Sequence, residues 1–311
     1  MKTISLFNKT KVHPSWNDFI YDNENLQELQ NIENAISTYK EYFPLKDKVF
    51  RFLENDLSAV KYIVLGMDPY PSYYIENGTI IPIATGRSFE VSNIKSWKQK
   101  FKQKSLAEIL KTLYYDKYKI EIPINDLRDK IIEIDTDSSN KIIYSLRTII
   151  FKSRSNSNNK EITNSHDNAF QKNNYKEILK NEILKYLDLT QKDLNNVNKD
   201  KKIILFNPTS FYDITELQGI LWLNSTLTVA PNNSGSHMKI WNNYMNNLFR
   251  YISSKNNNIK YLVFGEQAKN RLIDIVNKKN MIITCHPASR FNNDFVTSDC
   301  FKKVNDILLY L

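Results

Sequence analysis

Four short, unbroken apolar runs punctuate the chain: KYIVLG (61–66), GILWLN (219–224), KYLVFG (260–265) and NMIITC (280–285). Each is followed by a polar, irregular segment, the pattern of strands buried on both faces in a parallel sheet. Between and around the runs, apolar residues recur at helical spacing. This predicts helices over 24–41, FPLKDKVFRFL (43–53), KSLAEILKTLYY (104–115), KEILKNEILKYL (176–187), MKIWNNYMNNLFRYI (238–252) and QAKNRLIDIVNKK (267–279). The expected fold class is α/β, with three α/β/α layers around a central four-stranded, mainly parallel sheet.

The stretch from about 116 to 200 interrupts this rhythm. Its centre, SRSNSNNKEITNSHDNAFQKNN (153–174), is polar and poor in aliphatics, which predicts a long mobile loop. No internal repeat stands out, so residues 1–311 are expected to form one domain carrying 116–200 as an insertion.

Composition acts mainly by exclusion. Two cysteines, Cys285 and Cys300, are too few for a four-thiolate cluster and lack C-x-x-C spacing. Six glycines leave no Walker loop or dinucleotide fingerprint, and no G-x-S-x-G nucleophile is present. No apolar run reaches bilayer length, and the start MKTISLFNKTKV is too weakly apolar for a secretory signal. The expectation is an intracellular, cytoplasmic protein without membrane attachment, metal or cofactor. The 43 Lys plus Arg exceed the 34 Asp plus Glu by nine charges. That excess suits a phosphate binder, but Asn, Lys and Ile are all over-used, and a solvated lysine surface reads the same way.

Chemistry concentrates after the runs. In Gly66-Met67-Asp68-Pro69-Tyr70-Pro71, two prolines stiffen the loop and hold Asp68 and Tyr70 extended, so the carboxylate can be aimed; an ordinary Pro-rich turn with a capping Asp is the plainer alternative. Cys285-His286-Pro287 follows the fourth run. If the strands are parallel, His286 and Asp68 share one sheet edge. A lone histidine is more often structural, yet only four occur in the chain. Asn224 ends the second run with an amide that both donates and accepts, and Phe89 in GRSFEV offers a flat stacking surface. Together these residues suit hydrolysis at, and recognition of, a heterocyclic base.

GMDPYP resembles the water-activating G-Q-D-P-Y-H motif of the family-1 uracil-DNA glycosylases, and it is closer still to the poxvirus form. The similarity extends upstream through FPLKDKVFRFLENDLSAVKYIVLG. It resumes in GRSFEV, KSLAEILKTL, QGILWLNSTLTV, GSHMKIW and CHPASRFNNDF, covering roughly 40–113 and 215–305. The resemblance implies a DNA glycosylase of base excision repair that flips uracil out of DNA and hydrolyses its N-glycosidic bond, acting on single- or double-stranded uracil-containing DNA. Asp68 and His286 would be catalytic. Met67, Tyr70, Phe89 and Asn224 would bind the base, Tyr70 filling the space that a thymine methyl needs. Ser236, His237, Ser289 and Arg290 would contact DNA, with helix capping the alternative for Ser236. A protein partner or inhibitor at the DNA-binding face is a further candidate. The chain departs from the family at Met67 (usually Gln), Pro71 (usually His), Ala288-Ser289 (usually Ser-Pro) and Arg290 (usually Leu). A catalytically weak uracil-binding or processivity module on the same fold is the alternative, and hydrolysis of free nucleosides a third reading.

Overall fold

The computed structural model describes residues 10–158, 167–289 and 294–311. Helices α1 (Asn17–Ile20) and α2 (Asn23–Ile36) precede strand β1 (Tyr62–Gly66) and a hairpin of β2 (Tyr73–Glu76) and β3 (Thr79–Pro82). Then come α3 (Lys104–Tyr118), α4 (Ile124–Lys130), β4 (Ile131–Ile134), α5 (Thr136–Asn158), α6 (Asp167–Tyr186), α7 (Gln191–Lys199), β5 (Ile203–Phe206) and α8 (Pro208–Leu217). The remaining elements are β6 (Ile220–Asn224), α9 (Met238–Lys255), β7 (Lys260–Phe264), α10 (Glu266–Leu272) and β8 (Met281–Thr284).

The four apolar runs form one sheet in the order β6-β1-β7-β8, with every pairing parallel. Successive side chains point to opposite faces, and here both faces are covered. Val64, Trp222 and Leu262 pack with α3 and α8 on one side, whereas Ile63, Leu221 and Val263 pack with α2, α9 and α10 on the other. Three α/β/α layers result. Because all four strands run the same way, their carboxyl ends meet at a single edge, where the loops predicted to carry chemistry emerge.

The expected helix over 43–53 is replaced by two 3-10 turns, Lys46–Lys48 and Arg51–Glu54. The helix expected over 267–279 is cut to α10. β4, within 116–200, and β5, just beyond it, pair in parallel as a separate two-stranded sheet that the apolar pattern did not reveal. The mobile loop predicted for 153–174 is corrected over 153–158 and 167–174, which belong to α5 and α6; 159–166 lies outside the described residues. Polarity misled here, because Ser and Asn cost a helix only fractions of a kcal/mol each, roughly, and the segment contains no Gly or Pro to stop one. Ile142, Leu146, Leu179 and Ile183 anchor the two helices in the core. No helix among the described residues is long and apolar enough to cross a membrane.

Candidate active site

Asp68 stands just beyond β1, half-buried at the carboxyl edge of the sheet. Its Oδ2 accepts the Gly235 N–H at 2.6 Å, and the Ser234 hydroxyl donates to the carboxylate at 3.0 and 3.2 Å. Burial raises its pKa above the ordinary carboxylate value, and these donors pull in the opposite direction. The result is a fixed, partly desolvated carboxylate, the form a general base takes.

Asn224 ends β6 directly opposite Gly66. A Cβ at position 66 would collide with the Asn224 amide and lie 2.8 Å from the Ser88 Cβ, so glycine is required for this amide to cross β1. Asn224 is only 3% exposed, and its amide makes no hydrogen bond to another described residue, yet its polar atoms are not sealed from solvent. The Ser225 hydroxyl donates to the Met67 carbonyl at 2.7 Å, tying the Asp68 loop to the end of β6. The Tyr70 hydroxyl, by contrast, is buried without a partner among the described residues, and burial raises its pKa.

Phe89 is 8% exposed and adopts a φ of 62°, a left-handed backbone that a bulky residue adopts only under constraint. The constraint is visible. The Ser88 hydroxyl donates to the Val64 carbonyl at 2.9 Å, and Arg87 and Glu90 on either side form a buried ion pair at 3.0 Å. The Phe89 ring lies 5.7 Å from that of Phe264 at the end of β7.

His286 follows β8 and packs on Gly265, whose φ of +89° leaves a would-be Cβ 3.0 Å from that of the histidine. The His286 Nδ1 accepts the Ala288 N–H at 3.0 Å, so in the neutral ring the proton sits on Nε2. Burial, and then the nearby Lys104, lower its pKa and favour that neutral form.

The predicted DNA contacts fare unevenly. Arg290 lies outside the described residues. Ser289 is half-buried and its carbonyl accepts the Lys104 ammonium at 2.9 Å. Ser236 does not cap α9, whose N-cap is His237; its hydroxyl accepts the Ala230 N–H at 2.8 Å and so fastens a loop. The His237 ring is corrected as a phosphate contact. It is 0% exposed, bonded through Nδ1 to Thr228 at 2.9 Å and covered by the Tyr39 ring at 4.4 Å. Burial takes its pKa down to about 4, so it carries no charge for a phosphate at neutral pH.

No family model matches the chain. The uracil-DNA glycosylase of Campylobacter jejuni subsp. jejuni is 31% identical over 120 residues, 37% of this chain and 52% of its own length. The chain thus spans about half the length of the first curated relatives it matches. Among solved structures, mimivirus uracil-DNA glycosylase superposes with a TM-score of 0.52 at 18% identity, over 88% of this chain and 68% of that one. The fold is that of the uracil-DNA glycosylases. The UNG from Nitratifractor salsuginis agrees over 97% of this chain and 95% of its own, with a TM-score of 0.55 at 15% identity. A variant of the mimivirus protein has been crystallised in complex with UGI.

On this uracil-DNA glycosylase fold, two sets of contacts beside the site could not be read from the sequence motifs, although Gly235, Arg87 and Glu90 lie within those motifs. One is the Ser234-Gly235 pair that holds Asp68. The other is the charge cluster behind Phe89, where Arg87 donates to Glu216, Glu90 and Asp213, and Arg51 donates to Glu90 at 3.0 Å. Neither follows a periodic signal. Both depend on contacts across more than 100 residues.

Proposed function

We propose that this protein excises uracil from DNA, leaving an abasic site. The observation that carries the reading is the Asn224 amide, unpartnered among the described residues and laid across Gly66, on the strand beside the one that leads to Asp68. An extruded uracil placed there would satisfy the amide, which can donate to O4 and accept from N3–H, while stacking on Phe89. Asp68 accepts a proton from water as the water oxygen bonds to C1′. The pair of the breaking C1′–N1 bond leaves on the base, and its charge at O2 is met by the neutral His286 Nε2–H. The departing uracil anion then takes up a proton. Tyr70 occupies the space a thymine methyl would need, and Met67 lines the pocket through its backbone. Ser236 and Ser289 are proposed to face the DNA backbone.

The finer reading places the chain nearest the poxvirus-type members, on Pro71, as one domain with 116–200 inserted. A protein occupant of the DNA-binding face is proposed as well, supported by the mimivirus complex with UGI. The test is incubation with a uracil-containing oligonucleotide followed by alkaline cleavage of abasic sites. Cleavage is expected. Binding without cleavage would leave a uracil-binding module, and release from free uridine alone would leave a nucleoside hydrolase.

Replacing Asn224 by Asp removes the donor to O4 and leaves acceptors that, with one proton taken up, match cytosine. Uracil release should fall about tenfold or more, at roughly 1–3 kcal/mol per unsatisfied group. Cytosine release should become measurable on a matched oligonucleotide. An unchanged preference for uracil would show that Asn224 does not read the base.

A further inference from the structure

The loop running from Ala230 to Ser236 is fastened to the Asp68 loop from both directions. The Asn232 N–H donates to the Pro71 carbonyl at 2.8 Å, while Ser234 and Gly235 donate to Asp68. Within the loop, Ala230 and Asn233 form a bridge, and the Gly235 carbonyl accepts the Met238 N–H at 3.1 Å. Gly235 itself holds a φ of +78°, which favours glycine there. The donors to Asp68 are therefore set by backbone geometry.

The distances divide the two carboxylate oxygens. Among donors from the other described residues, Oδ2 receives the Gly235 N–H at 2.6 Å and lies 3.0 Å from the Ser234 hydroxyl, whereas Oδ1 has only the 3.2 Å contact with that same hydroxyl. A hydroxyl has one proton to give, and the shorter contact is to Oδ2. We propose that Ser234 is a positioning residue for Asp68, occupying Oδ2 together with Gly235 and leaving Oδ1 to take the proton of the attacking water. This rests on the glycosylase reading above. The proton passes to Oδ1 as the water oxygen bonds to C1′, and the pair of the C1′–N1 bond departs with the base.

The sign of the pH effect follows. Burial raises the Asp68 pKa, and the Gly235 N–H, the Ser234 hydroxyl and the residue's own N–H lower it; no charged side chain is among the causes. The other titratable groups placed at this edge among the described residues are Tyr70 and Cys285, both pushed up by burial, His286, lowered by burial, and Lys104 beside it. Removing the Ser234 hydroxyl withdraws a donor from the charged form, so the Asp68 pKa rises. The base form is then lost at a higher pH, and the acid limb of kcat/KM moves upward.

The test compares wild type, Ser234→Ala and Ser234→Thr by kcat/KM against pH on a uracil-containing single-stranded oligonucleotide. A carbon-13 titration of the Asp68 carboxyl runs alongside and needs no turnover. In Ser234→Ala, both should move up by about one pH unit, with rates about tenfold lower below the limb and a smaller loss above it. Ser234→Thr, which keeps the hydroxyl, should return both towards wild type. An unshifted limb and carboxyl titration in Ser234→Ala, or an equal loss at every pH, would overturn the role. The wild type and Asp68→Asn separate the two failures: no uracil release by the wild type sinks the glycosylase reading itself, whereas wild-type turnover in Asp68→Asn removes Asp68 as the base. An inactive Asp68→Asn beside an unshifted Ser234→Ala sinks only the role of Ser234.

Discussion

Asp68→Asn should slow uracil release about 10²- to 10⁴-fold in single-turnover measurements, while binding to uracil-containing DNA stays within a fewfold of wild type. The amide is nearly isosteric with the carboxylate, so the loop has no reason to move. Its orientation, however, is dictated by its neighbours. The Gly235 N–H needs an acceptor at the Oδ2 position, which forces the amide oxygen there and turns the NH₂ group towards the water. A donor then stands where a proton acceptor is required, and the negative charge that would balance a developing sugar cation is gone. A rate close to wild type would mean that Asp68 takes no part in the chemistry.

Arg87→Met should destabilise the fold by about 3–5 kcal/mol, because it breaks a buried ion cluster from one side. Arg87 is 6% exposed, and burial, which opposes its charge, is outweighed by Glu216, Glu90 and Asp213. In the variant Glu90 keeps Arg51, but Glu216 loses the partner that donates to both of its oxygens. The pKa of Glu216 is already raised by burial against the pull of Arg87, so it should rise further. A carboxyl whose folded pKa lies above its unfolded value retains a proton that the unfolded chain releases. Stability therefore falls as pH climbs between the two values. The deficit should be largest at neutral pH and shrink as pH drops towards the ordinary glutamate range. Urea midpoints at pH 7 and pH 5 measure this, and Arg87→Met with Glu216→Gln should recover part of the loss. A wild-type midpoint at both pH values would show that the cluster contributes nothing net. Activity should fall as well, since Arg87 and Glu90 flank the strained Phe89.

Strands β1, β6 and β7 were legible because strands buried on both faces must be apolar throughout, as KYIVLG and KYLVFG are, although IILF of β5 has the same character. Asp68, Asn224 and His286 were legible for a related reason: a parallel sheet brings the residues just past its strands to one edge. β4 and β5 were missed because a run of four residues between polar flanks carries little periodic signal. His237 misled because a histidine beside a helix start reads as exposed, whereas its burial depends on contacts with Tyr39 and Thr228 that only the folded chain makes. The roles of Ser234 and of Arg87, which lies within GRSFEV, could not be read from the sequence, since they consist of contacts that only the folded backbone creates.

The position of β1 in the sheet carries one more consequence, for the order in which the molecule is built. β1 bonds only to β6 and β7, and the donors that hold Asp68 lie 166 and 167 residues away along the chain. A chain emerging from the ribosome therefore displays its most apolar strand long before either neighbour exists, and loop closure of that length is slow. No fragment ending before residue 220 contains a neighbour for β1, let alone a complete site. Catalytic competence should thus arrive with the last strands, in step with global folding, and nascent chains would need shielding at KYIVLG until β6 and β7 have been made.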